Sequence, residues 1–387
     1  MPRSRCRFVA SLNLTVLAIA ALALSARVLA DDHRPFLDRF DTVNLIASTV
    51  PANGDVNPYG IVVVPHSAGA LKRGHILISN FNNVDNLQGT GTTIVQVSPE
   101  GEVTLFANID PTALADRCPG GVGLTTALAV LQRGWVIVGS LPASKGTSAT
   151  ARAGCLIVLN SAGHVVETFH GGDINGPWDM TALDAEDHAW LFVTNVLNGD
   201  VTKGDPHVVH QGTVLRIALE VPEQGEGIPA RGLTTVIGSG FSETADPGAL
   251  VIGPTGVGLA TDGTLYVADT LNNRIAAIPH ALTRQTTAFT GFDVSFNGAL
   301  SAPLGLVIAP NGHVITANGG DGNLVETTPA GSQIAVKTVE RATGAGSLFG
   351  IAIVPGGHGV YFVDDGDNTV KVLESKDAPE SDDDGND

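Results

Sequence analysis

GPTGVGLATDGTLYVADTLNNRIAAIP, residues 253–279, is the stretch whose reading decides the fold. Residues 256–260 read as a short strand in which Gly alternates with Val and Leu. Asp262-Gly263 is a tight hairpin turn, because the glycine accepts the positive φ that such a turn demands. Residues 265–268 make a second strand that ends on Asp269. A polar turn then leads into residues 274–278 as a third. Short strands joined by tight turns form an antiparallel meander, whose inner and outer members must be told apart by burial rather than by length.

The pattern returns five more times, which turns a local reading into a global one. APLGLVIAPNGHVITANGGDGNLVETTPAG occupies residues 302–331, and LFGIAIVPGGHGVYFVDDGDNTVKVLE residues 348–374. NPYGIVVVP at 57–65 is followed by GHILISNFNN and TIVQVSPEGEVTLFA, and GPWDMTALD at 176–184 by AWLFVTN and GTVLRIAL. A weaker copy fills residues 123–169. The equivalent inner-strand positions are Gly60, Ala127, Asp179, Gly256, Gly305 and Gly350, separated by 67, 52, 77, 49 and 45 residues. A unit near 45 residues that tolerates insertions is the period of a propeller blade. Composition agrees, with 47 Gly, 21 Pro, abundant Val, Ile and Thr, and no long helical periodicity. The expected fold is all-β, a six-bladed β-propeller over residues 31–374. DTVNLIAST at 41–49 has no earlier blade to serve, and the last repeat ends near Leu373 after three strands. The N-terminal strand is therefore expected to complete the sixth blade, sealing the ring and removing an open edge.

These units resemble NHL repeats, most plainly PTGVGLATDGTLYVADTLNNRI and PLGLVIAPNGHVITAN. The resemblance runs over nearly all of the chain beyond its first thirty residues and implies an exported bacterial propeller of six blades. It implies little about activity, since similar propellers serve as binding scaffolds, lyases and lactone hydrolases.

The ends carry their own signals. Arg3, Arg5 and Arg7 precede an apolar run, and Val28-Leu29-Ala30 offers small or compact residues where a signal peptidase reads. Residues 1–30 are expected to be a signal peptide cleaved near Ala30, giving a periplasmic or secreted protein with no membrane span. Loss of Arg3, Arg5, Arg7 and Arg27 leaves 17 basic against 39 acidic residues, a net charge of −22. Such a surface repels phosphate backbones and anionic lipid, excluding nucleic acid as a partner. Cys118 and Cys155 are the two cysteines left, and in an oxidising compartment they are expected to pair. Residues 375–387, SKDAPESDDDGND from 375 on, form an acidic tail without a core to join and are expected to be disordered.

A site is expected on the face where the inner strands begin. There the turns after the second strands are short in blades four to six and long in blades one to three. Insertions on a rigid scaffold are where function concentrates. The long loops bring Asn82, Asn83, Asp85 and Asn86, then Lys145 and Arg152, then Asp200, Lys203, Asp205, His207 and His210. The inner-strand entries add Asn57, Tyr59, Asp173, Asn175, Trp178 and Asp179, in which a carboxylate beside an indole suggests a ligand floor. His207 and His210 stand three apart, but Gly204 and Pro206 make the segment a loop and no HExxH accompanies them, so a solvated pair is expected rather than zinc. Asn80, Ser140, Asn195, Asp269, Asn318 and Asp364 end every second strand, a recurrence that reads as capping of the following turn.

Three functional readings follow. The leading one is a monomeric binding or scaffold module that recognises an envelope protein, peptide, glycan or small molecule and needs no cofactor. The alternative, implied by likeness to lactone-hydrolysing propellers, is a hydrolase or lyase using a divalent cation, Ca²⁺ or Mg²⁺, held by Asn57, Asn175 and Asp179. A quinone-dependent dehydrogenase fits least, since its anionic cofactor wants clustered basic and aromatic residues in a chain that has three Trp and three Tyr. No GxSxG marks a serine hydrolase.

Overall fold

The computed structural model describes residues 34–114, 116–118, 120–202, 207–341 and 346–376. The expected signal peptide and all of the expected acidic tail beyond Lys376 lie outside them, as do Lys203 and Asp205. Six small antiparallel sheets form a six-bladed β-propeller. Inner strands, in blade order, are Val56–Val63, Leu124–Val130, Gly176–Asp184, Pro254–Leu259, Pro303–Ile308 and Leu348–Ile353. They are mostly buried, whereas outer strands such as Val103–Asn108 and Phe292–Phe296 keep exposed positions. Burial is thus deepest in the second and third strands and lowest at the rim.

Blade six closes as expected. Its sheet runs Leu348–Ile353, Gly359–Asp364, Thr369–Glu374 and then Thr42–Ser48, which pairs antiparallel with Thr369–Glu374 from Thr42 opposite Glu374 to Ser48 opposite Thr369. The segment before this strand is also docked. Phe36, Leu37 and Phe40 are buried against blades five and six. The Phe36 and Leu37 N–H groups donate to the Glu326 carboxylate at 2.9 and 2.8 Å, and Asn311 Nδ2 donates to the same group at 2.9 Å.

Glycine sets how closely the blades approach. A Cβ on Gly256 would collide with the Leu304 carbonyl oxygen, one on Gly305 with that of Phe349, and one on Gly350 with that of Tyr59. The repeated glycine read from sequence is therefore a contact between successive inner strands.

Blade three departs from the four-stranded plan. Its fourth strand, Ala230–Asp246, has 17 residues and turns back through Leu250–Ile252, making a five-stranded sheet. This hairpin fills the gap of 77 residues between Asp179 and Gly256. The column of residues ending the second strands is buried and bonds in two directions. Asn80 Nδ2 donates to Thr49 O, Ser140 Oγ to Gly121 O, Asn195 Nδ2 to Asp173 O and Asn318 Nδ2 to Ala299 O. Each clamps the segment entering its own blade's first strand. Bonds into the following turn are made as well, by Asn195 to Asn198 and by Asp364 to the Gly366 N–H.

Cys118 and Cys155 form a disulfide with Cα atoms 5.6 Å apart, joining the entry to blade two with its third strand. No helix among the described residues is long and apolar enough to cross a membrane. The bridge closes a sequence separation of 37 residues, so the chain-entropy account gives it about 2–4 kcal/mol. The double variant C118S/C155S is expected to unfold at lower urea concentration with an equal or larger m-value, because its unfolded chain is less constrained, as followed by intrinsic fluorescence.

Candidate functional site

The mouth of the channel is built on an aromatic layer. Tyr59, Trp178 and Phe349 occupy matching positions on three inner strands, each following the residue that pairs with the end of the second strand. The Tyr59 ring lies between Phe349, at 3.8 Å centroid to centroid, and Phe81, at 4.5 Å, with Trp178 at 6.2 Å. All four are at most 3% exposed. They close the axis of the ring.

Above this layer lies the blade-three hairpin. Tyr59 Oη donates to Gly248 O at 3.1 Å and Trp178 Nε1 to Val251 O at 3.0 Å. Gln88 donates from Nε2 to Pro247 O at 2.7 Å and accepts from Leu250 N at 3.0 Å. Ser148 Oγ donates to Leu250 O at 2.6 Å. The hairpin is thereby fixed over part of the channel mouth. The remainder of the mouth is a pocket of 660 Å³ between the hairpin, blade one and the short-looped blades five and six.

The polar lining of that pocket is Asn57, Asn82, Asn86, Gln88, Asp246, Asp365 and Asn368. Asn57 sits at φ 66°, a left-handed conformation that Asn tolerates better than most residues. Its backbone N–H donates to Asn368 Oδ1 at 2.7 Å, which helps hold that conformation. The Asn57 Oδ1 and Asn82 Oδ1 atoms are buried and have no hydrogen-bond partner within the protein. A buried acceptor left unpaired is costly, on the order of 1–3 kcal/mol, and marks where a donor or cation belongs. Burial, with repulsion from Asp364 and Asp367, raises the Asp365 carboxyl to about 7. Burial and then the Asp365 and Asp246 charges push Tyr59 well above its ordinary value, so its hydroxyl stays a neutral donor to the hairpin.

The residues singled out from sequence do not gather at one place. Asn57 lines the mouth pocket, while Tyr59 and Trp178 lie beneath it and hold the hairpin. Asp179 is below the aromatic layer, in a separate chamber of 410 Å³ lined by all six inner strands. Asn175 lines neither cavity; its Nδ2 donates to Asn198 Oδ1 at 2.8 Å. Asn57, Asn175 and Asp179 thus occupy three different environments. Asp173 is exposed. His207 and His210 are also exposed, His210 Nδ1 meeting Ser242 Oγ at 3.2 Å. Among the described residues no group of three or more His, Cys, Asp or Glu is placed to hold a metal. Lys145, Arg152 and Asp200 line neither cavity. Sequence reading missed Gln88, the hairpin, Asp365 and Asn368. The signal available for the hairpin was the long gap before Gly256, with ADPG at 245–248 as a turn inside it.

No protein-family model and no curated protein sequence matches the chain. Many solved structures do. A gluconolactonase-type protein shares 16% identity over 89% of this chain and 97% of its own, with a TM-score of 0.52. Regucalcin of Agrobacterium tumefaciens, a calcium-binding protein, shares 14% over 85% and 93%, with a TM-score of 0.50. Virginiamycin B lyase of Staphylococcus aureus shares 12% over 86% and 99%, with a TM-score of 0.50. At such identity the likeness establishes the six-bladed fold, and its bearers are named for different activities.

Two buried carboxyls give the fold a pH dependence. Burial raises Asp179 to about 8 and Glu243, fully buried in the long blade-three strand, likewise to about 8. Both are above their unfolded values, so the folded state holds protons that the unfolded state has released. Stability from each is complete below about pH 4 and is lost as pH rises toward 8, at up to about 1.4 kcal/mol per pH unit per group. The melting temperature is expected to fall between pH 5 and pH 8. E243Q, which keeps an acceptor for the Asn198 N–H, should flatten that fall when scanned by calorimetry.

Proposed function

We propose that the protein is an exported, monomeric propeller that binds a small polar molecule in the mouth pocket. The observation that carries this reading is the pair of buried, unpartnered amide oxygens, Asn57 Oδ1 and Asn82 Oδ1, in a concave 660 Å³ pocket. A pocket of that size suits a small molecule rather than an extended protein surface. Its lining is rich in acceptors, so the ligand should present hydroxyl or ammonium donors, or be accompanied by a hard cation that oxygen ligands suit. The long loops serve this site unequally: blade one supplies Asn82, Asn86 and Gln88, and blade two supports the hairpin through Ser148. The N-terminal leader, cleaved near Ala30, the single propeller domain and the acidic tail complete the proposed chain. Kinship with NHL-type propellers rests on the repeats at 254–275 and 303–318.

A second reading, cation-assisted hydrolysis of a lactone-like ester, is favoured by Asp365. A carboxyl held near neutrality beside unpartnered amides is matched to general-base work at physiological pH. Asn57, Asn82 and Asp246 are the residues that would hold Ca²⁺ or Mg²⁺, which when bound would polarise a carbonyl oxygen. Asp365 then stays off the cation and serves as the base.

Thermal shift and calorimetric titration with Ca²⁺, Mg²⁺, Mn²⁺, Zn²⁺, monosaccharides and aldonolactones test both readings. A ligand at a hundred times its Kd should stabilise the fold by about 2.7 kcal/mol. N57G, which keeps the backbone conformation, and N82A should each abolish the response. Responses that survive both variants would place binding elsewhere, and no response to any compound would sink the pocket as a site. Acid release from a lactone, lost in D365N, would select the hydrolase.

A further inference from the structure

The chamber beneath the aromatic layer shares no lining residue with the mouth pocket. It runs from Gly305 and Gly350, next to the layer, to Val63, Leu259, Ile308 and Ile353 at the far ends of the inner strands. At 410 Å³ it falls within the range of roughly 300–1,000 Å³ that small-molecule sites occupy. Its side chains are apolar except for those of Thr126, Asp179 and Thr181, while strand backbone groups supply much of its polar surface, and among the described residues Asp179 is the only titratable one lining it. No basic side chain lines it.

Asp179 breaks the pattern of the ring. At its position blades one, four, five and six carry Gly60, Gly256, Gly305 and Gly350, and blade two the Thr126-Ala127 pair. Where glycine stands, successive inner strands touch directly. Between blades three and four that contact is replaced by the Asp179 carboxyl, whose Oδ2 accepts from Val257 N at 3.1 Å. An asparagine oxygen could accept the Val257 bond without bringing a charge into an apolar wall, so packing does not require an acid here. Asp179 is 8% exposed, and nearby Thr126 Oγ1, in the same chamber, is buried without a partner.

We propose that this chamber binds a small organic amine with an apolar body, its ammonium paired with Asp179 and its body against Leu128, Met180, Leu259 and Ile351. The apolar side chains replace water around the body of such a ligand, and a single carboxylate suits one ammonium better than a divalent ion, which wants several charged ligands. The ammonium relieves what burial imposes on the carboxylate. Thr126 Oγ1 is a further acceptor. The surplus of acidic residues, a formal charge of −18 over the whole sequence, raises the local concentration of cations. Burial keeps the proton on the empty chamber's carboxyl up to about 8. Binding therefore releases a proton and strengthens as pH rises from 6 toward 8, until the amine itself deprotonates.

This inference is independent of the mouth-pocket reading. Its test is calorimetric titration of the full mature chain with benzylamine and with benzyl alcohol, a neutral probe of similar shape. Benzylamine is expected to bind with proton release, read from the dependence of the heat on buffer ionisation. Benzyl alcohol should bind at least about tenfold more weakly. Asp179→Asn should bind the two probes alike. Equal affinity of the unmodified protein for both probes, unchanged benzylamine affinity in D179N, or no benzylamine binding would each overturn the proposal. The comparison of probes needs no variant, so it decides the matter even if D179N does not fold.

Discussion

Everything in this molecule depends on the pairing of its first strand with its last. A ring of sheets has no free edge only if its two ends meet, and here Thr42–Ser48 supplies the outer strand to a blade otherwise made from residues 348–374. The contact joins segments more than three hundred residues apart in sequence. Its closure entropy is correspondingly high, though it grows only slowly with length. The burial of Phe36, Leu37 and Phe40 and the bonds to Glu326 add contacts that offset it at the same seam.

With the ring closed, the inner strands are forced toward one axis, and what stands on them determines where space remains. Glycine at Gly256, Gly305 and Gly350 lets neighbouring strands touch. One position nearer the mouth, Tyr59, Trp178 and Phe349 fill the axis. The molecule therefore has two chambers rather than a through-channel. The upper is rich in amide and carboxylate oxygens, and the lower is lined by mostly apolar side chains and strand backbone with a single acid. Both contain carboxyls that burial holds above their ordinary range, by the same physical cause in different chemical company.

Sequence revealed the parts that repeat. Asp262-Gly263 and its counterparts announce hairpins, the spaced glycines announce the inner strands, and the orphan segment at 41–49 announces closure, because each has a local cause. The mouth pocket has no local cause. Asn57, Asp246 and Asp365 come from segments far apart in the chain, and their meeting depends on ring closure and on a hairpin hidden in an overlong repeat. Trp178 and Asp179 illustrate the limit most sharply. Adjacent in sequence, they resemble one ligand floor, yet a bulge in the strand and the aromatic layer send them to different compartments.

The hairpin at 246–252 is held in a particular way. Tyr59, Trp178, Gln88 and Ser148 all bond to its backbone groups, at Gly248, Val251, Pro247 and Leu250. None of these bonds depends on which side chains the hairpin carries. Its packing does depend on sequence, since Ala249, Leu250 and Val251 are buried in the core and Asp246 Oδ1 accepts from the Gly248 N–H, which leaves Pro247 and Gly248 as its exposed positions. Selection could retune what the mouth recognises at those exposed positions while leaving the buried ones in place, so binding preference and fold stability can evolve partly along separate paths.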